Sequence, residues 1–295
     1  MTLNIEHLSK AYGGKVALDD VNLMLRDDTI YGLFGRNGAG KSTLLGCVAN
    51  RLTSVGGAIA LDGVEVRGSE AAQNRVYLLN ETMPVLAVRS ATSLLREEER
   101  WYGPLDWDLA LRMMQAFGIE PGSAYGHLSL GQRMAVRLAA AFAVPADVLL
   151  LDEPMLGLDA VNRALFHRFL LESFASRPRT IVVSTHGIDE IAPVVERVVV
   201  LDQGHVIDEF EADAVGSRAT ELTGEPSVIE PFVASKRLGV LAREHLGGLD
   251  RVTVRGAVAR EGLPTGVAAT SLGLQDYVVR LTDPANRVTD NSEGK

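Results

Sequence analysis

The chain has 295 residues, 46% hydrophobic and 23% charged, which is material for one large domain or two modest ones with an ample core. A net charge of −9 with only five lysines argues against a nucleic-acid partner, which asks for a basic face, and the single cysteine, Cys47, excludes an internal disulfide and suits a reducing compartment. No apolar run reaches membrane-spanning length, and MTLNIEHLSK lacks the basic region and apolar stretch of a signal peptide; the expectation is a cytoplasmic protein that works at a membrane only as a peripheral subunit.

In chain order, LNIEHLSKAYGG and ALDDVNLMLR alternate as half-exposed strands do. TIYGLFG is a compact apolar run that stops at glycine, the pattern of a buried strand, and KSTLLGCVANRL follows with helical spacing that gives Cys47 a packing role. GGAIALDGVEV predicts two strands around an Asp-Gly turn. Residues 81–127 differ: SATSLLREEERWYG and DWDLALRMMQAFG read as helices. In the second, Trp107, Leu111, Met114 and Phe117 form a core-facing stripe, and Glu97, Glu98 and Glu99 read as a solvated face. From residue 128 helices and strands alternate again. SLGQRMAVRLAAAFAV is helical, DVLLLDE a strand, VNRALFHRFLLESFAS helical, and TIVVSTH and RVVVLDQGHVIDEF strands. That alternation predicts a largely parallel sheet covered on both faces. Residues 211–295 are richer in glycine: SKRLGVLAREHLG reads as a helix, DRVTVRG as a strand, GLQDYVVRLT as a last helix and DPANRVTDNSEGK as a disordered tail.

GRNGAGKS, residues 35–42, fits G-x-x-x-x-G-K-[ST] between a predicted strand and a predicted helix. Glycines let the backbone curl so that N–H groups point at phosphate oxygens, and the helix start adds partial positive charge. Lys41 would reach the β- and γ-phosphates and Ser42 would place a hydroxyl on Mg2+. VLLLDEP sets Asp152 and Glu153 at the end of a buried strand, where open α/β sheets present their ligand crevice. Asp152 suits the metal and Glu153 a general base, with a pair of turn-capping acids as the plain alternative. His186 follows another apolar strand; a γ-phosphate contact competes there with an ordinary loop histidine. LSLGQ, residues 128–132, opens a helix and offers Ser129, Gly131 and Gln132 as a second set of phosphate contacts.

GRNGAGKST, LSLGQR, VLLLDEPMLGLD and STH occur in the order and rough spacing of ABC transporter ATPase subunits, a resemblance covering residues 1–210. It implies an α/β fold of the P-loop NTPase class, ABC ATPase type. That fold has a mostly parallel core sheet, an N-terminal antiparallel β subdomain, a helical subdomain inserted at 81–127, and here a small C-terminal α+β extension at 211–295. The resemblance also implies two subunits, identical or paralogous, sandwiching two ATP molecules with Mg2+. Gly35, Arg36, Asn37, Gly38, Ala39, Gly40, Lys41, Ser42 and Thr43 of one chain would hold a nucleotide whose γ-phosphate meets Ser129, Gly131 and Gln132 of the other. Asp159, in GLDA, would lie at that contact, and Tyr12 matches the position that stacks on adenine, a core tyrosine being the alternative. The family's metal-contacting glutamine is replaced by Asn80, with Glu81 beside it, and Leu130 replaces the first glycine of the signature loop. A separate membrane permease is implied, with Met83, Pro84, Val85, Leu86, Trp101 and Tyr102 as its apolar socket. SLGLQDYVVRLT resembles the close of ATPase subunits of bacterial exporters. A non-transport ABC ATPase, acting as a regulatory or nucleic-acid-associated switch, is the competing class.

Overall fold

The computed structural model describes residues 1–80 and 87–286, and the chain forms two units, residues 1–208 and 209–295. The first unit opens with β1 (Thr2–Tyr12) and β2 (Lys15–Arg26), an antiparallel pair that buries Leu3, Ile5, Leu8, Leu18, Val21, Leu23 and Leu25 on one side and leaves mostly polar residues outside. Then come β3 (Ile30–Phe34), α1 (Lys41–Val48), β4 (Gly56–Leu61), β5 (Val64–Glu65), α2 (Glu70–Gln73) and β6 (Val76–Leu79). The Asp-Gly turn between β4 and β5 takes φ +51° at Asp62 and +79° at Gly63, as a tight hairpin requires. Next are α3 (Ala91–Tyr102), α4 (Trp107–Ala116) and α5 (Leu130–Ala143), followed by β7 (Val148–Asp152), α6 (Ala160–Ser176), β8 (Thr180–Ser184), α7 (Ile188–Ile191), β9 (Arg197–Asp202) and β10 (His205–Glu211). No helix among the described residues is long and apolar enough to cross a membrane.

One sheet runs β2-β1-β4-β5 and is antiparallel; the other runs β10-β9-β3-β8-β7-β6, with β9, β3, β8, β7 and β6 parallel. Helix α1 lies within a single core shared by both sheets: Ile5, Leu23 and Leu25 from one, Leu44, Leu45 and Val48 from the helix, Leu33, Leu150 and Val182 from the other. Burying those three α1 side chains contributes about 5–9 kcal/mol and fixes the loop that precedes the helix. On α5 and α6, Leu138, Phe142, Phe166 and Phe169 are buried, with Phe142 and Phe166 rings 6.0 Å apart.

The helical stretch departs from the sequence reading. The buried side of α4 is Leu109, Ala110, Met113 and Met114, continuing to Phe117, while Leu111 is exposed and Trp107 half-buried. Trp107 sits at the first turn, where its indole Nε1 donates to Glu99 Oε1 at 2.9 Å, so the stripe rotates by part of a turn to keep that polar atom at the rim. The three glutamates are not a solvated face: each is half-buried. Glu97 pairs with Arg89 at 2.9 Å, Glu99 accepts from Trp107, and burial raises the pKa of Glu98 against the pull of Arg51 and Tyr77. Of the expected socket, Met83, Pro84, Val85 and Leu86 lie outside the described residues, as does Glu81. Trp101 is exposed, but Tyr102 packs edge-on against Tyr77 with centroids 5.0 Å apart.

The second unit is an antiparallel sheet, β12-β13-β11-β14, from β11 (Ala219–Gly224), β12 (Val240–Leu246), β13 (Leu249–Arg255) and β14 (Ala268–Ser271), with α8 (Pro226–Lys236) and α9 (Leu274–Thr282). Leu222, Ile229, Val233, Val252 and Val254 make its core, and α9 sends Arg280 to Glu221 and Glu244. Here SKRLGVLAREHLG is not a helix. Its first residues finish α8, Arg237 turns the chain at φ +51°, and Val240–Leu246 pairs with Leu249–Arg255. Cross-strand pairing with β13 outweighs the local helical spacing. Of the closing segment, residues 287–295 lie outside the described residues.

Candidate functional site

Strand β3 is buried at all five positions and stops at Gly35. Gly35 takes φ +148° and Gly40 φ +112°; a Cβ would stand 2.0 Å from the Leu201 carbonyl oxygen at the first and 2.5 Å from that of Ala17 at the second, so neither tolerates a side chain. The loop closes on itself through Ala39 N–H to Arg36 O at 3.0 Å. Helix α1 starts at Lys41 with no side-chain cap and no acid in its first turn. Its leading amides and the positive end of its dipole are thus left for an external anion. Lys41 is 7% exposed and its Nζ donates to Gly35 O at 2.7 Å and Arg36 O at 3.3 Å. Burial lowers its pKa, and the carboxylates of Glu153 and Asp152 oppose that shift. The cation therefore sits inside the loop it serves, between backbone carbonyls and two acids.

Parallel register assembles the rest. Leu79 pairs with Leu151 and Asp152 with Ser184, so Asn80, Asp152–Glu153 and Thr185–His186 leave the same end of β6, β7 and β8. Glu153 N–H donates to Ser184 O at 2.8 Å and the residue takes φ +49°, a left-handed conformation costing a non-glycine residue about 1–2 kcal/mol. Its Oε2 lies 3.2 Å from Thr185 Oγ1 and 3.0 Å from His186 Nδ1. His186 thus touches the acid while 69% of its side chain stays exposed. Thr185, which donates to that carboxylate, was not singled out by the sequence; its place before the histidine in STH is the signal that could have found it.

Asp152 Oδ1 is buried without a hydrogen-bond partner, an orphaned acceptor of the kind a bound cation satisfies. With the Ser42 hydroxyl, one carboxylate fits Mg2+, which takes one or two carboxylates together with phosphate oxygens and water rather than an all-protein cage.

Ser129 caps α5 in a reciprocal box: its Oγ accepts from Gln132 N–H at 3.2 Å, and Gln132 Oε1 accepts from Ser129 N–H at 3.1 Å. Gln132 Nε2 also donates to Gly118 O at 3.2 Å. A Cβ on Gly131 would lie 2.7 Å from Gly157 O, so the helix start is docked against the turn that follows the acids. Leu130 is half-exposed, with its side chain over Gly157. Asp159 caps α6 by accepting from Asn162 N–H at 2.8 Å. Tyr12 is 47% exposed with Lys10 Nζ 4.9 Å from its ring centre, which removes the reading of a core tyrosine. The Asn80 carbonyl accepts from Arg137 Nη1 at 2.6 Å.

A family profile described as ABC transporter matches residues 18–156. The chain is 28% identical over 211 residues to the ABC transporter ATP-binding protein YtrB of Bacillus subtilis, covering 72% of each. It is 31% identical over 204 residues to the taurine import ATP-binding protein TauB of Shigella dysenteriae serotype 1, covering 68% of this chain and 80% of the relative. Against relatives named for ribose or galactoside import it spans only 42%, 44% or 46% of their length. In fold it is similar to a dimeric bacterial ABC transporter cassette, with a TM-score of 0.64 at 21% identity, covering 71% of this chain and 98% of that one.

Proposed function

The chain belongs to the family of ABC transporter ATP-binding proteins and is an ATP hydrolase, and from that premise we propose that two copies, or this chain and a paralogue, close around two ATP molecules to drive a separate membrane permease. The observation that carries the reading is the convergence of Lys41, Asp152, Glu153 and His186 at one end of the parallel sheet, together with a second anion-ready helix start at Ser129.

The triphosphate lies along Gly35–Thr43, with Lys41 exchanging its loop carbonyls for phosphate oxygens. Ser42 and Asp152, with Asn80, would hold the Mg2+ that accompanies ATP, and that ion would supply neutralisation of phosphate charge. Glu153 takes the proton of the attacking water, its carboxylate oriented by Thr185 and His186. His186 then bridges that acid and the γ-phosphate. Tyr12, already exposed, stacks on the adenine. Ser129, Gly131 and Gln132 approach the γ-phosphate of the partner's nucleotide, with Asp159 at the edge of the contact. Loss of that phosphate removes the shared group and the copies part.

For direction we assign export. The importer names belong to relatives matched over the ATP cassette, whose phosphate chemistry carries no direction. What supports this reading is the likeness of SLGLQDYVVRLT, residues 271–282, to the close of exporter ATPase subunits; its last nine residues form α9, with Leu274, Tyr277 and Val278 buried. Exposed Trp101 remains for the permease. The test is Glu153→Gln, which keeps the shape and removes the base: it is expected to bind ATP, stop turnover and run as an ATP-dependent dimer on size exclusion. Unchanged hydrolysis removes Glu153 from the role, and a monomer at saturating ATP removes the sandwich. Reconstitution with the permease that co-purifies from membranes tests direction, since cargo carried toward the ATP side overturns export.

A further inference from the structure

Helix α5 carries a second polar device two turns beyond its cap. Arg137 donates from Nη1 to the Asn80 carbonyl at 2.6 Å and from Nε to the Tyr125 hydroxyl at 2.7 Å. Its guanidinium carbon stands 5.9 Å from the Tyr125 ring centre. Arg133, one turn earlier, lies at the same distance from that ring and donates to Leu128 O at 3.0 Å and Gly126 O at 3.2 Å. A buried tyrosine is thus flanked by two guanidinium groups that between them hold the segment leading into LSLGQ. Of these two arginines it is Arg137 that reaches across 57 positions of sequence to the residue that follows β6. Asn80 leaves the sheet beside Asp152, one of the two carboxylates whose charge acts on Lys41 of the chain's own phosphate loop, and Arg137 is about 12 Å along α5 from Ser129.

We propose that Arg137 is the positioning residue that makes residue 80 and the Ser129 helix move as one body, so that the nucleotide on a chain's own loop sets the helix start offered to its partner's nucleotide. This rests on the sandwich reading above. Arginine suits the task because its planar fork holds two acceptors in fixed directions, whereas lysine holds them with a single rotating ammonium. The bond to the Asn80 carbonyl has a charged donor and is the one that joins the two elements, so losing it weakens closure by about tenfold or more, whereas the bond to Tyr125 only orients the guanidinium. The residue touches neither nucleotide, so affinity for ATP at a single chain's own loop stays near its original value.

The test uses the full chain in the Glu153→Gln background, with ATP as probe. ATP affinity is measured at protein concentrations where the chain is monomeric, and dimer formation by sedimentation as ATP and protein are raised. Arg137→Ala is expected to keep the monomer's ATP affinity within about twofold while requiring roughly tenfold more protein for half dimerisation, with Arg137→Lys in between. Tyr125→Phe, which leaves the Asn80 bond, is expected to dimerise nearly as the parent does. The proposal is overturned if Arg137→Ala dimerises as the parent does. It is equally overturned if Arg137→Lys loses ATP affinity and dimerisation together, or if Tyr125→Phe is impaired as much as Arg137→Ala. A parent that stays monomeric at saturating ATP refutes the sandwich itself, an outcome distinct from all of these.

Discussion

Ser129 allows the structural and the nucleotide-facing parts of the signature loop to be separated. Its Oγ already accepts the Gln132 amide, and a hydroxyl keeps one proton to donate elsewhere. Ser129→Ala removes both functions. Losing an N-cap of this kind costs about 1 kcal/mol, which lowers the melting temperature of a unit this size by roughly 2–4 °C. Ser129→Asp keeps the cap, because aspartate caps as well as serine and its charge suits the helix dipole; stability is expected within about 0.5 kcal/mol of the original. Aspartate has no proton to give, and it sets a negative charge toward a phosphate. Two unit charges about 4 Å apart near a protein surface repel by roughly 4 kcal/mol before screening, so dimerisation around ATP falls by a hundredfold or more. The assay pairs thermal unfolding with ATP-dependent dimer formation in the Glu153→Gln background. Alanine is expected to be less stable and aspartate equally stable but monomeric. An aspartate variant that dimerises like its parent refutes the placing of Ser129 against phosphate, and an alanine variant with unchanged stability refutes the cap.

Lys41→Met would remove the charge-assisted bonds proposed to reach phosphate and is expected to weaken ATP binding by roughly 10- to 100-fold or more in a direct titration. Gly40→Ala meets a φ of +112° and a carbonyl oxygen 2.5 Å from the new Cβ; unfolding stability is expected to drop by about 2–4 kcal/mol in denaturant titration. His167 has its pKa pushed below 6.5 by burial, against the pull of Glu190. The unfolded chain therefore takes this proton first as pH falls, so the stability contribution is full above pH 6.5 and declines as pH drops below it toward the folded value. His167→Gln is expected to flatten that part of a stability-against-pH curve, and an unchanged slope assigns it to other groups.

The parts of the site legible in the sequence are those built from contiguous backbone. GRNGAGKS fixes its own glycine angles, and VLLLDE and TIVVSTH are strands whose register alone brings Glu153 to His186. What escaped depends on partners far away in the chain. Leu111 fits the helical stripe as well as Met113 does, and only the bond from Trp107 to Glu99 shows which way α4 is turned. SKRLGVLAREHLG has helical spacing, and its strand exists because β13 lies beside it. The sequence names Ser129 and Gln132 as donors without showing that each side chain is already engaged in capping α5. That engagement narrows the chemistry left to them. Gln132 is held by Ser129 and Gly118, so its side-chain amide serves to fix the helix start, and in the proposed sandwich the contact with a partner's phosphate would fall to the Ser129 hydroxyl proton and the amides at the start of α5 that the box leaves unpaired. A signature loop that spent its side chains directly on phosphate would lose its shape whenever the nucleotide left. This one keeps its shape through the capping box, which would let the proposed pair of chains separate and close again on the same geometry.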